Sequence, residues 1–157
     1  MFVYGIGSGK QTFTTVNMGS VTSYISSLDT IVKTKTTLYS FTNNNTVTVL
    51  QSGNYKVEFN CSFYNASYTD RSKLMTAVLI NGVYDKTYGG QAACYIRHSN
   101  YVRNGTTANS LFFACNANDT IQLKTTMNKA SELGNNSNFS SQFEFIRGSN
   151  ILVTYLD

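Results

Sequence analysis

The clearest pattern in this chain is an alternation of apolar and polar positions between Ser52 and Phe63, SGNYKVEFNCSF. Every second position from Tyr55 onward is apolar, and the positions between are polar. The apolar positions are Tyr55, Val57, Phe59, Cys61 and Phe63. Strict alternation after a turn signal predicts a β-strand with one face in a core. An α-helix would spread the same side chains around its whole circumference.

Shorter apolar or alternating runs, separated by turn residues, extend this pattern along the chain. The strongest hairpin signal is Asn81-Gly82, at the end of an apolar run. The predicted strands are residues 12–16, 31–37, 38–41, 46–50, 52–63, 74–80, 110–115, 120–127, 142–146 and 150–156. The chain has no proline and no convincing helical period. The pattern therefore predicts an all-β fold, an antiparallel two-sheet jelly-roll sandwich.

The length and composition limit the classes of protein that fit. A chain of 157 residues fits one domain. We divide it into residues 1–45, with the first short strands and a hypothesised anchoring role, and residues 46–157, the main part of the jelly roll. Charged residues make up only 13%, against about 25% in an average domain. Such a surface is typical of proteins that work inside assemblies or bind glycans.

The charge and hydropathy patterns argue against two kinds of partner. The net charge of +4 comes without a run of basic residues, so a nucleic-acid partner is not predicted. No stretch reaches the roughly 18 apolar residues of a membrane span, and the first residues lack the basic start of a signal peptide. We therefore expect no membrane insertion and no export.

Candidate chemistry is sparse. His98 is the single histidine and has no nucleophile motif near it. Three aspartates, Asp70, Asp85 and Asp119, are isolated in sequence, whereas calcium needs several oxygen ligands together. The cysteines, Cys61, Cys94 and Cys115, are predicted to be free thiols of a reducing compartment. The sequence therefore predicts a protein that is not an enzyme and has no cofactor and no metal.

The last strand is apolar on both faces, which makes it a candidate subunit contact. Its apolar residues are Ile151, Leu152, Val153, Tyr155 and Leu156. A strand of this kind must be covered on both sides. One side is the core of the domain, and the other needs a partner subunit or a loop. We favour the partner subunit.

A stretch rich in tyrosine and arginine is the candidate ligand-binding loop. Its residues are Tyr84, Tyr88, Tyr95, Arg97, His98, Tyr101 and Arg103. Tyrosine, asparagine and glycine with a few arginines make adaptable binding surfaces. The alternative is an ordinary long connection whose tyrosines pack against the sandwich.

The order of these signals resembles the tumour necrosis factor-like superfamily, particularly the globular heads of the complement type. The matching features are Gly53 and Tyr55 at the start of the central strand, a strand that ends in Asn81-Gly82, a turn acid at Asp119 and an apolar closing strand. They cover roughly residues 46–156. The resemblance implies a ten-stranded jelly roll in a compact trimer, with the closing strand near the threefold axis. Members of this superfamily are ligands and recognition heads, not enzymes.

These observations lead to three functional hypotheses. The first is a structural virion protein, a capsid decoration, cement or minor capsid protein assembled in the host cell cytoplasm. Its partners would be itself, as a homotrimer, and other capsid or virion proteins. The second is the receptor-binding or glycan-binding head of a viral fibre or spike, which would bind a host surface glycan or receptor. The third is a secreted lectin-like adhesin.

Overall fold

The computed structural model describes residues 2–12, 23–25, 30–33, 37–42, 46–65, 72–84, 91–96 and 104–127, together with 142–157. The regular structure within these ranges is entirely β. The strands are β1 (Phe2–Thr12), β2 (Ser23–Ile25), β3 (Thr30–Lys33), β4 (Tyr39–Thr42), β5 (Thr46–Val49), β6 (Gly53–Asn65), β7 (Ser72–Ile80), β8 (Gln91–Ile96), β9 (Asn104–Cys115), β10 (Thr120–Met127) and β11 (Gln142–Tyr155).

The strands form two antiparallel sheets. The five-stranded sheet has the order β3-β1-β11-β6-β9, and the second sheet has the order β4-β5-β10-β7-β8, with β2 also paired to β10. From β5 onward the chain passes between the sheets at each connection except that between β7 and β8. This order is that of a jelly roll, so the predicted fold class is confirmed.

The core lies between the sheets and is built around β6. All five alternating apolar side chains of β6 are at most 2% exposed. Leu74, Val78, Ile121 and Leu123 of the second sheet are buried in the same core. Burying one such side chain contributes about 1.5–3 kcal/mol. The prediction of a central strand from its alternation is confirmed.

Three buried threonines join the two sheets by hydrogen bonds. Thr107 of β9 donates to Thr76 of β7 at 2.8 Å, and the hydroxyl groups of Thr76 and Thr125 are 3.2 Å apart. All three are at most 1% exposed. Because each hydroxyl has a partner, the desolvation cost of burying it is offset.

Strand β1 differs from the sequence prediction, which began the first strand at residue 12. Phe2–Thr12 pairs with β11 on one side and with β3 on the other. Its pairing with β11 shifts in register between Gly7 and Gly9, and a bulge of this kind interrupts a two-residue period. Residues 13–16 lie outside the described residues. An anchoring role for residues 1–45 stays a prediction, and any such role of residues 2–12 would involve a strand paired on both sides.

The end of the chain also differs from the prediction of two separate strands. β11 is one strand of 14 residues, with a register irregularity against β6 between Phe145 and Asn150. The irregularity obscures the alternation in the sequence. As a result, the closing strand is one long strand in the middle of the five-stranded sheet, between β1 and β6.

Candidate functional site

The predicted ligand-binding loop is divided by strand β8, so the prediction of one continuous loop is wrong. Ser72, at the start of β7, pairs with Ile96 at the end of β8. Tyr84 follows the hairpin at the opposite end of β7. Strand β8 has a weak sequence signal because Gln91–Ile96 is short and begins with Gln and two alanines.

Tyr84 and Tyr95 are the members of this set that the structure describes. Tyr95 lies in β8, opposite Lys73 of β7, and is 45% exposed. Tyr84 is half-buried. The other members, Tyr88, Arg97, His98, Tyr101 and Arg103, lie outside the described residues. Ligand binding by these residues stays a prediction.

The candidate subunit contact is divided between the two faces of β11. Ile151 and Val153 are 2% and 0% exposed and belong to the core of their own chain. They are therefore not available to a second subunit, because the opposite sheet already covers them. Leu152 is half-buried on the other face, and Leu156 is exposed beyond the end of the strand. The trimer stays a prediction. Leu152 is the residue of the candidate set within β11 whose side chain is available to contact a second subunit.

Tyr155 is also engaged within its own chain. Its ring packs against that of Tyr55, with the centroids 5.2 Å apart, and its hydroxyl accepts a hydrogen bond from Gln51 Nε2 at 2.9 Å. Gly53 makes room for this ring: a Cβ there would lie 2.5 Å from Tyr155 Cε2, and its φ of 155° disfavours other residues. The Gly53 and Tyr55 signal of the sequence therefore marks the packing of an aromatic cluster.

The outer surface of the five-stranded sheet is the candidate functional site. We call it the five-strand face and define it by the outward side chains of β6, β9 and β11. Those that the structure describes are Asn54, Lys56, Glu58, Asn60, Ser62, Tyr64, Asn104, Thr106, Ala108, Ser110, Phe112, Ala114, Asn150, Leu152 and Thr154. Phe112 is 60% exposed, whereas its neighbours Leu111 and Phe113 are buried. The face therefore presents a large aromatic side chain to solvent.

Sequence reasoning missed Phe112, although a signal for it was present. The run Leu111–Phe113 is apolar on both faces of β9, as the closing strand is on β11. Applied to β9, the same argument would have predicted a second apolar face here.

The charges of the five-strand face neutralise each other. Lys56 Nζ lies 2.9 Å from Glu58 Oε1, and the two side chains are 32% and 37% exposed. Within the described set that defines the face, these are the only charged side chains. The described part of the face therefore has no net charge.

A second described feature is the hydrogen-bonded turn end of the other sheet. Asn81 and Gly82 both have positive φ, 51° and 77°, which is the conformation of a tight two-residue hairpin. Asn81 Nδ2 donates to Asp119 Oδ1 at 2.7 Å, and Asn81 Oδ1 accepts from Thr120 N at 2.8 Å. Asp119 Oδ2 accepts from Asn116 N at 2.7 Å. The predicted hairpin and the predicted turn acid are thus joined to each other.

The described cysteines are free thiols, as predicted. Burial raises the pKa of Cys61 to about 12, and the nearby Cys94 adds to the shift. Burial also raises the pKa of Cys94 and of Cys115 to about 11. These thiols are therefore protonated, weak nucleophiles at neutral pH.

The described residues hold neither a metal-binding cluster nor a membrane-spanning helix. They contain no group of three or more His, Cys, Asp or Glu side chains placed to hold a metal ion. Nor do they contain a helix that is long and apolar enough to cross a membrane.

The strand order defines a jelly roll of two antiparallel sheets. Among solved structures, the crystal structure of murine APRIL at pH 8.5 is similar to this chain, with a TM-score of 0.52 and 9% sequence identity. The similarity covers 99% of this chain and 98% of that one. At this identity the likeness shows the fold alone. No family model and no curated protein matches the sequence.

Proposed function

We propose that this protein is a non-enzymatic jelly-roll head that forms a homotrimer through its five-strand face. We further propose that the trimer is a structural virion component, either a capsid decoration or cement protein or a minor capsid protein. The observation that carries the proposal is Phe112, a phenylalanine 60% exposed on a face without net charge.

Self-association is supported by the composition of the face. An aromatic side chain can bury 150–250 Å² on contact, and exposed apolar patches mark interaction sites. Leu152 adds a second apolar side chain two strands away from Phe112, across β6. The ion pair between Lys56 and Glu58 is already formed, so burying the face leaves no charge without a partner. A trimer agrees with the assembly that the superfamily resemblance implies.

The first experiment measures the mass of the purified protein by light scattering. We expect about 52 kDa, three times the chain mass of 17.4 kDa. Phe112→Ser should shift the mass to that of the monomer. Tyr95→Ser is the matched control, because it also removes an exposed aromatic ring but lies in the other sheet. A monomeric unmodified protein would contradict the trimer.

The virion role is supported by the low charge of the chain, 13% of residues, because a surface of neutral side chains can be covered at little desolvation cost. Attachment repeated by three subunits would gain from avidity. The test is to quantify this protein in purified particles of the virus that encodes it. We expect a fixed copy number divisible by three; its absence from the particles would overturn the virion role and leave the trimer untouched.

The second candidate function is a receptor-binding or glycan-binding head. Tyr95, 45% exposed on the edge strand β8, favours it, since tyrosine supplies rigid amphipathic contact area. Binding of the trimer to a glycan array, with loss of the signal in Tyr95→Ser, would support this function. A glycan signal unchanged in that variant would place binding elsewhere.

A further inference from the structure

Lys56 and Glu58 lie in the middle of the five-strand face, on the strand between β9 and β11. Lys56 is in register with Phe112 on one side and with Thr154 on the other. Glu58 is in register with Ser110 and with Leu152. The pair is therefore flanked by the two large apolar side chains of the face.

We infer that the ion pair between Lys56 and Glu58 allows the five-strand face to be buried against a second copy of the chain. The pair thereby determines which partner this face binds. The inference rests on the proposed trimer and deepens it. Each copy neutralises its own charges across a distance of 2.9 Å. Copies can then meet without repulsion between like charges.

The chemistry of the face favours a second copy over a partner of another kind. A strongly basic or acidic partner is matched by a face of the opposite sign. The five-strand face has one positive and one negative side chain, joined to each other. Its remaining members are small, amide or hydroxyl side chains together with Phe112 and Leu152. Such a face has no excess charge to attract a charged partner, whereas its apolar side chains can be covered by the same face of a second copy.

A pair that stays exposed and a pair that is buried between subunits predict different results for single substitutions. On an open surface, an ion pair contributes little and the loss of one partner is almost neutral. At a buried contact, the loss of one partner leaves the other charge buried without compensation, which is strongly unfavourable. Replacing both partners by neutral side chains removes that penalty. A buried pair therefore predicts that the effects of the two single substitutions do not add.

The experiment compares Lys56→Met, Glu58→Gln and the double variant with the unmodified protein. Light scattering over a dilution series measures trimer dissociation, and urea unfolding of the monomer checks the fold. We expect each single variant to weaken the trimer on the order of 100-fold, and the double variant to return to within about tenfold of the unmodified protein. Lys124→Met, an outward lysine of the other sheet, should leave dissociation unchanged.

The outcomes separate this inference from the proposed function. If the unmodified protein is monomeric at every concentration, the proposed trimer fails. If it is trimeric and both single variants assemble equally well, the trimer stands and the role of the pair is overturned. A double variant as weak as the single ones would also overturn it. Should a single variant fail to fold, the charge-swapped K56E/E58K variant, which keeps the pair, must still form the trimer.

Discussion

A large apolar side chain is covered on the outer surface of one sheet and exposed on the outer surface of the other. Leu79 lies on the outer side of β7, opposite Gln122, and is 4% exposed although it is not part of the core between the sheets. Phe112 lies on the outer side of β9 and is 60% exposed. The chain thus covers one of these side chains itself and leaves the other to solvent.

The polar groups near these two side chains also differ. On the second sheet, Gln122 Nε2 donates to Thr46 Oγ1 at 2.8 Å, and Asn81 joins Asp119 to Thr120. These hydrogen bonds connect one strand or turn with the next. On the five-strand face, Lys56 and Glu58 pair within a single strand, and Ser62 Oγ lies 3.2 Å from Thr106 Oγ1 of the neighbouring strand β9. The second sheet is therefore covered by its own chain around Leu79, and we expect the five-strand face around Phe112 to act in assembly.

The largest effects should come from placing a carboxylate at each of the two apolar positions. Leu79→Glu should prevent folding, because a buried unpaired charge costs several kcal/mol. Phe112→Glu should fold normally and remain monomeric. Urea unfolding and light scattering measure the two effects. A Leu79→Glu variant that folded as well as the unmodified protein would contradict the buried position of Leu79.

A smaller effect should separate the two sides of the closing strand. Ile151→Ala should lower the free energy of unfolding by about 2–5 kcal/mol, because it leaves a cavity in the core. Leu152→Ala, next to it but facing outward, should cost the isolated monomer less than about 1 kcal/mol and weaken the trimer instead. Equal losses of monomer stability in both variants would contradict the assignment of faces.

The turn end of the second sheet should contribute to folding and not to assembly. Asn81→Ala removes the hydrogen bonds to Asp119 and Thr120 and puts alanine at a positive φ of 51°. We expect a loss of about 1–3 kcal/mol in the free energy of unfolding. Trimer dissociation, measured under conditions where the variant is folded, should not change. Asn60→Ala, on the five-strand face, provides the control for the loss of an exposed asparagine.

The smallest effect concerns the thiols between the sheets. The pKa of Cys61 is raised from 9.0 to about 12 in the folded chain. Its contribution to stability is therefore complete below pH 9 and is lost as the pH rises from about 9 to about 12. Between pH 8 and pH 10 the loss should be about 1 kcal/mol. In urea unfolding, the free energy of unfolding of Cys61→Ala should fall less between these two pH values. An unchanged pH dependence would show that Cys61 does not contribute to it.

The sequence by itself determined the elements whose signals are local. The alternation from Tyr55 to Phe63 predicted β6 and its core face, because side chains in a strand point to opposite sides in turn. Asn81-Gly82 predicted its hairpin, since both residues tolerate positive φ. The alternation of Ile151, Val153 and Tyr155 predicted one face of the closing strand, and Ile151 and Val153 lie in the core. From these signals the all-β jelly roll followed.

Only the tertiary structure decided which neighbours cover each face, because strand pairing joins residues far apart in the chain. Whether Ile151 or Leu152 faces the core depends on the register with Phe59 and Glu58, about 90 residues earlier. The exposure of Phe112 depends on β9 lying at the edge of its sheet, next to β6. Likewise, β8 interrupts the predicted loop because it pairs with β7. A two-residue period shows that a strand has two faces, but contacts distant in sequence determine what each face meets.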